Sequence, residues 1–228
     1  MNWFEKLHET FIVDNRYMWM VEGLGNTLVI TFGALLIGVI IGTLVAVAKY
    51  YCEGNKKLRF VSWLCDLYTT VIRGIPMTVL LLLFFFVLFV SARNGVPVAV
   101  AAFGINSGAY MAELIRSGIN AVDKGQMEAA RSLGLSKGQA MVKVVMPQAI
   151  KYILPAIGNE CIALLKETSV AGYVAVADLT FAGNRIRGVT YSAFMPLIAV
   201  ALIYLVLVMF LTYLVGKLER RLRQGDNR

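Results

Sequence analysis

Three ionisable side chains sit where the surrounding residues leave little room for water. Glu160, Lys166 and Glu167 fall inside the 25-residue stretch 152–176, which is otherwise dominated by apolar residues. A charge within a membrane-spanning segment costs roughly 2.5–3.5 kcal/mol on insertion scales, so such residues face a cavity or a partner. On a helix leaving Lys151, Glu160 lies about 13 Å along the axis and Lys166 about 22 Å. Asn159, Ala163 and Lys166 then share one stripe, and Glu160, Leu164 and Glu167 the neighbouring one. Acceptors beside donors suit a ligand that carries both an ammonium and a carboxylate, as an amino acid does. Asn159 and Glu160 are the candidate contacts near mid-span, and Glu160 also suits a cationic side chain. A structural reading competes with this. Lys166 and Glu167 can pair with charges on another span or on a second chain, which is the reading favoured for them, and Glu160 can pair with Arg73 or Lys166.

Other positions offer less. Gly74 and Pro76 should kink the run that holds them, freeing backbone groups that a cavity or neighbour must satisfy, and Thr78 follows that break. Glu113 and Arg116 are three apart, the spacing of a local ion pair at a helix end. His8 is the single histidine, so histidine catalysis has almost nothing to stand on. Cys52, Cys65 and Cys161 show no metal or redox spacing and read as small apolar fillers.

The elements that carry these residues are apolar and long. Of 228 residues 58% are hydrophobic and 16% charged, with mean hydropathy +0.69, far from the balance of a soluble domain. Charges are absent from 27–48, 74–92, 94–112 and 188–216. About 20 apolar residues cross a bilayer core, so each run is a candidate span, and 152–176 is a fifth. The expected spans are 24–48, 62–91, 95–116, 152–176 and 190–216. A cleavable signal peptide is not expected, because the first run is too long and Glu5 and Glu9 precede it.

The net charge of +8 follows the spans rather than forming one patch. Fifteen of the 22 basic residues fall after the first span (Lys49, Lys56, Lys57, Arg59), between the third and fourth, and after the last (including Lys217 and Arg228). Five lie on the other side: Lys6, Arg16, Arg93, Arg185 and Arg187. This excess puts the N-terminus outside and the C-terminus in the cytoplasm. The surplus is a topology signal and gives no reason to expect nucleic acid. Ahead of the first span, Trp3, Phe4, Leu7 and Phe11 have the spacing of a short amphipathic helix on the outer surface, with a frayed terminus as the competing reading.

One polar segment interrupts this pattern. In 123–147, Asp123 and Gln126 form a first capping box, Gly134 can take the left-handed conformation that ends the helix, and Ser136 and Gln139 form a second box. The second helix must end or bend near Pro147. The expectation is two short helices joined at a glycine elbow on the cytoplasmic face, a docking element more than a plain connector.

Glu128-Ala129-Ala130, Gly134 and Val144-Val145-Met146-Pro147, at their spacing here, resemble the EAA loop of bacterial ABC importer permeases. The family prefers Ile and Leu where this chain has Val144 and Met146. Arg73-Gly74-Ile75-Pro76, Ala109-Tyr110-Met111-Ala112-Glu113, Gly125-Gln126, Pro147-Gln148-Ala149 and Leu165-Lys166-Glu167-Thr168-Ser169 look like the polar amino acid group within it, which more often has Thr at 75 and Asp at 167. The matching motifs run from about 73 to 169. The resemblance implies a type I importer permease: an all-α integral membrane chain of five transmembrane helices with a cytoplasmic coupling elbow. It implies that Glu128, Ala129, Ala130, Leu133, Gly134 and Leu135 engage an ATP-hydrolysing subunit. Two permease chains, identical or paralogous, would each hold one such ATPase, and an extracytoplasmic binding protein would deliver a polar amino acid. Arg73, Glu113, Lys166 and Glu167 would be structural or gating charges. The setting this implies is the bacterial cytoplasmic membrane.

The chain has no GxxxxGK[ST] phosphate loop, and Gly216-Lys217 is followed by Leu218. No cofactor is expected on this chain; ATP and magnesium belong to the partner, and the chain by itself is not expected to be an enzyme. A stand-alone carrier or channel is the alternative. It accounts for the intramembrane charges but gives the capped elbow no task, and no paired inverted repeat is visible. A structural assembly protein would need neither the kinked second span nor mid-span carboxylates.

Overall fold

The computed structural model describes residues 2–52 and 58–223, with the backbone only at Arg223. Lys56, Lys57 and Arg228, used above to orient the chain, lie outside the described residues. The described residues are mostly helical, without a strand: α1 Trp3–Leu7, α2 Tyr17–Cys52, α3 Arg59–Gly74, α4 Met77–Leu83, α5 Gly95–Asn120, α6 Lys124–Ser132, α7 Lys137–Ala140, α8 Met146–Glu167, α9 Leu179–Thr190 and α10 Phe194–Arg223. Four stretches are long and apolar enough to cross a membrane: 17–52, 95–120, 137–174 and 194–222. The pair α3 and α4 supplies a fifth only if counted as one bent span.

Charge-free runs find these helices but not their ends. The first long apolar helix, α2, begins at Tyr17, ahead of the expected start at 24, because its opening turns pack against other protein. A Cβ on Gly23 would lie 2.7 Å from the Asp178 carbonyl, and the Trp19 ring takes the Arg185 guanidinium at 3.9 Å. The expected span 62–91 breaks sharply. Ile75 and Pro76 are extended, at ψ 127° and 137°, and α3 meets α4 at 105°. Proline disfavours helical backbone at the residue before it and cannot donate to the ladder, so the two short helices part there. The run 152–176 is helical to Glu167 and tightens into a 3₁₀ stretch over Thr168–Val174. The last helix starts at Phe194 rather than 190.

Sequence reading missed α9, a short helix with two arginines whose buried stripe of Leu179, Ala182, Gly183 and Ile186 is made largely of small residues. Fully buried Asp178 caps it, accepting from the Thr180 and Phe181 N–H groups at 3.0 Å each. The expected N-terminal helix is present as α1, continued by a π turn over His8–Ile12, with Trp3 and Phe4 exposed.

The centre of the bundle is the pairing of α2 with α5. A Cβ at Gly38 would meet Ser107 Oγ at 2.6 Å, one at Gly42 would meet Met111 Cβ at 2.4 Å, and one at Gly104 would meet Ile37 at 2.7 Å. Gly38 and Gly42 of α2 therefore serve packing inside the chain. Ile30, Ala34, Leu81, Ala99, Phe103 and Leu164 form the core there. Helix α8 lies against α5, and α10 against α8 and α9.

Candidate functional site

Two places carry polar chemistry. The first lies inside the bundle. Glu160 projects from α8 and is half-buried; its Oε1 accepts a hydrogen bond from Ser107 Oγ of α5 at 3.2 Å. Ser107 is fully buried, seated where Gly38 of α2 lacks a side chain. Three helices thus position one carboxylate: α2 by what it omits, α5 by a donor, α8 by the acid. Glu160 makes no ion pair with Arg73 or Lys166; the Arg73 guanidinium instead lies over the Tyr110 ring, 5.3 Å from its centroid. Asn159, beside Glu160, is exposed, as are Lys166 and Glu167 about two turns further on. Among the described residues no hydrogen bond or ion pair engages Asn159, Lys166 or Glu167. Thr78 sits half-buried in the first turn of α4, with no hydrogen bond to Glu160 or Asn159.

A cluster of charges lies nearer the basic end of the bundle. Arg116 donates to Glu113 Oε2 at 2.6 Å, the expected pair three residues apart. Lys49 of α2 reaches Asp66 of α3 at 2.5 Å and Glu113 of α5 at 4.0 Å. These groups, with Arg73 and Tyr110, line a cavity of about 610 Å³. Sequence analysis missed Lys49 and Asp66 here, because residues 17 apart on different helices leave no local spacing signal.

The second place is the elbow. Asp123 caps α6 but forms no reciprocal box with Gln126, contrary to expectation. Its Oδ1 accepts from the Gly125 N–H at 2.7 Å, a tight turn open to glycine because a Cβ there would sit 2.7 Å from that oxygen. The Gln126 side chain, released from the cap, accepts from Gln148 at 3.1 Å and ties α6 to α8. At the other end Gly134 has φ +88°. Its N–H donates to the Arg131 carbonyl at 3.0 Å and the Leu135 N–H to Ala130 at 3.2 Å, the paired closure of a Schellman motif. The second box is complete: Gln139 accepts from the Ser136 N–H at 2.9 Å, and Ser136 Oγ accepts from the Gln139 N–H at 3.3 Å.

Pro147 does not end the helix that follows. A π turn over Met141–Val145 leads straight into α8 with the proline in its first turn, where a missing N–H removes little. The elbow's second half and the helix bearing Glu160 are one continuous helical stretch from Lys137 to Val174. Leu133 stands at the apex 85% exposed, with Glu128, Ala129 and Gly134 also exposed and Leu135 half-buried. Ala130 is buried, so it faces the chain itself. Met141, Val145, Ala149 and Ile153 bed the elbow on Ala46, Ile115 and Val122.

This helical membrane bundle holds Glu160 between α5 and α8 and carries a capped elbow. Residues 34–224 match the family described as binding-protein-dependent transport system inner membrane component, and the chain belongs to that family. It is 38% identical over 219 residues to the arginine transport system permease protein ArtQ of Bacillus subtilis, covering 91% of this chain and 94% of that one. It is 36% identical to the probable glutamine ABC transporter permease protein GlnM of the same organism, over 96% of this chain and 100% of that one. Among solved structures, a crystal structure of an amino acid ABC transporter with histidines is 42% identical with a TM-score of 0.83, covering 92% of this chain and 98% of that one. The MetNI methionine ABC transporter in an inward-facing conformation, 22% identical with a TM-score of 0.78, shares the fold. The chain is a multi-pass permease with the type I importer fold.

Proposed function

We propose that this permease carries polar amino acids across the bacterial inner membrane, N-terminus outside and C-terminus in the cytoplasm. Two permease chains pair, each with its own ATPase that binds ATP and magnesium, and an extracytoplasmic binding protein presents the substrate. The observation that carries the reading is the elbow: an 85%-exposed leucine at the apex of a turn fixed by a Schellman closure and a capping box. An exposed apolar apex on a rigid polar arm fits a groove on a soluble partner. Leu133, Glu128 and Ala129 make that contact, Gly134 and Leu135 set the turn, and buried Ala130 holds the arm to the bundle. Closure of the ATPases on nucleotide then moves the arm, and the moved arm changes which side the cavity faces.

Glu160, preset by Ser107, receives the ammonium or a cationic side chain of the substrate, and exposed Asn159 lies beside it. Thr78 contributes from the far side of the α3–α4 break. Arg73, Glu113, Lys166 and Glu167 serve as structural or gating charges. The names of the relatives, arginine and glutamine permeases, support an amino acid as cargo.

The test is co-purification of the tagged chain from its native host in mild detergent, with partners identified by mass. A stoichiometric phosphate-loop ATPase that is lost on Gly134→Pro supports the motor and its contact. The chain isolated alone, under conditions that preserve other membrane complexes, overturns the importer reading. A second permease of different mass would mark a heterodimer.

A further inference from the structure

An apolar groove of about 280 Å³ runs between the elbow and the bundle. Its walls include Val47 and Tyr51 from the end of α2, Ile119 from α5, Met141 and Val142 from the π turn, and Ile153 from α8. The groove opens outward, where Val47, Tyr51 and Val142 are 44%, 69% and 69% exposed. Against it lies a second cavity of about 240 Å³ that shares Ala46, Tyr50 and Ile119 and is polar elsewhere, lined by Lys49, Ser62, Arg116 and Asn120. Lys137 stands over the Tyr50 ring at 5.1 Å and makes no ion pair among the described residues. Lys49 and Arg116 already face Asp66 and Glu113, which leaves Lys137 as a cation without an acidic partner among the described residues.

We infer that this paired cavity binds one anionic phospholipid of the cytoplasmic leaflet, one of its acyl chains in the groove and its phosphate at Lys137 and the polar cavity. The inference rests on the orientation proposed above, which puts the basic end of the bundle at the cytoplasmic interface. An apolar trough beside a polar one matches an amphiphile, and neither half alone does. The groove is smaller than most pockets that enclose a whole ligand, which suits part of an acyl chain. On that orientation Tyr50 and Tyr51, at the end of α2, fall at headgroup level, where aromatic residues collect in membrane proteins. A lysine at that level draws the anionic lipids of the inner leaflet. One wall belongs to α7 and its π turn and the other to α2 and α5, so the lipid fills the seam between arm and bundle.

The assembled complex, purified with its ATPase and stripped of lipid, is titrated with phosphatidylglycerol or with phosphatidylcholine of the same chains and weighed by native mass spectrometry. One phosphatidylglycerol per permease chain, retained in preference to phosphatidylcholine, is the expected result. Lys137→Gln should weaken that preference about five-fold, the worth of one lysine at an anionic surface. Gly138 lines the groove, and a Cβ there meets nothing within 4 Å. Gly138→Leu adds bulk at the groove wall from a position whose Cβ is unobstructed, and should lower retention of both lipids with the complex still assembled. Equal retention of the two lipids by the unaltered complex overturns the inference. So does undiminished retention in Gly138→Leu, or a free fatty acid as the bound species. Failure of the ATPase to co-purify would count against the proposed function instead, and the lipid count on the full-length chain would still decide this site.

Discussion

Glu160 and Ser107 differ in how visible they are before any coordinates exist. A carboxylate in an apolar run stands out because it is costly there, so Glu160 can be picked from sequence alone. Ser107 cannot: it is small and common, and its partner is 53 positions away. The same holds for Gly38, whose importance is the absence of atoms beside Ser107. Glu160→Gln keeps the shape and removes the charge. Loss of one charge-assisted hydrogen bond, about 1.5–3 kcal/mol, should weaken cationic substrate by roughly ten- to a hundred-fold while the complex still assembles. Uptake assays in reconstituted vesicles check this, and unchanged uptake in the variant would sink substrate contact at Glu160. Asp178 is buried with a different purpose, since both its bonds go to the first turn of α9. Asp178→Ala should destabilise the fold by about 1–2 kcal/mol, the upper part of the range for a lost helix cap, measured as a lower thermal midpoint in detergent.

Among the elements, the elbow was the most legible because turns and caps are written locally. Gly134 and the Ser136–Gln139 box needed only four or five neighbouring residues to be recognised, and both appear as expected. The Asp123–Gln126 box failed for an equally local reason: Gly125 lets the carboxylate fold onto a nearer N–H. Proline misled at 147, because a proline in a first turn begins a helix as readily as it ends one. Gly134→Ala places a Cβ at φ +88°, at a penalty of about 1–2 kcal/mol. It should reduce substrate-stimulated ATP hydrolysis with normal membrane insertion. Normal stimulation would show that the left-handed turn is dispensable. The α2–α5 seam gives a second test at this scale. With Met111 Cβ only 2.4 Å from a Cβ at position 42, Gly42→Leu must push the helices apart, and overpacking of this kind costs about 1–3 kcal/mol or more. Protein yield after detergent extraction should fall sharply, while Gly216→Leu, in open space, should leave it unchanged.

For the whole molecule, composition alone identified an all-helical membrane chain, because long charge-free runs leave a chain few alternatives. What composition could not give was the path between the runs. The 105° break after Gly74 and the helix over 179–190 depend on packing and on a single buried cap, and neither changes the count of apolar residues. Orientation rests on where the basic residues fall, and that is open to direct measurement. A fluorescent protein that matures only in the cytoplasm should be bright when fused after Arg228 and dark when fused ahead of Met1. The reverse pattern would invert the assignment of elbow, binding protein and ATPase to their sides.

The unbroken helical stretch from Lys137 to Val174 also constrains what lengths of sequence the family fold can tolerate. Each residue of a helix adds about 100° of rotation and 1.5 Å of rise. Removing one residue from the turn at 141–145 would leave composition and hydropathy almost untouched, yet it would swing the elbow by more than a quarter-turn against Glu160. Loops absorb insertions and deletions, but a shaft does not. Length changes in this protein should therefore be confined to the links around it, and the interval from Ser136 to Glu160 should behave as a fixed measure.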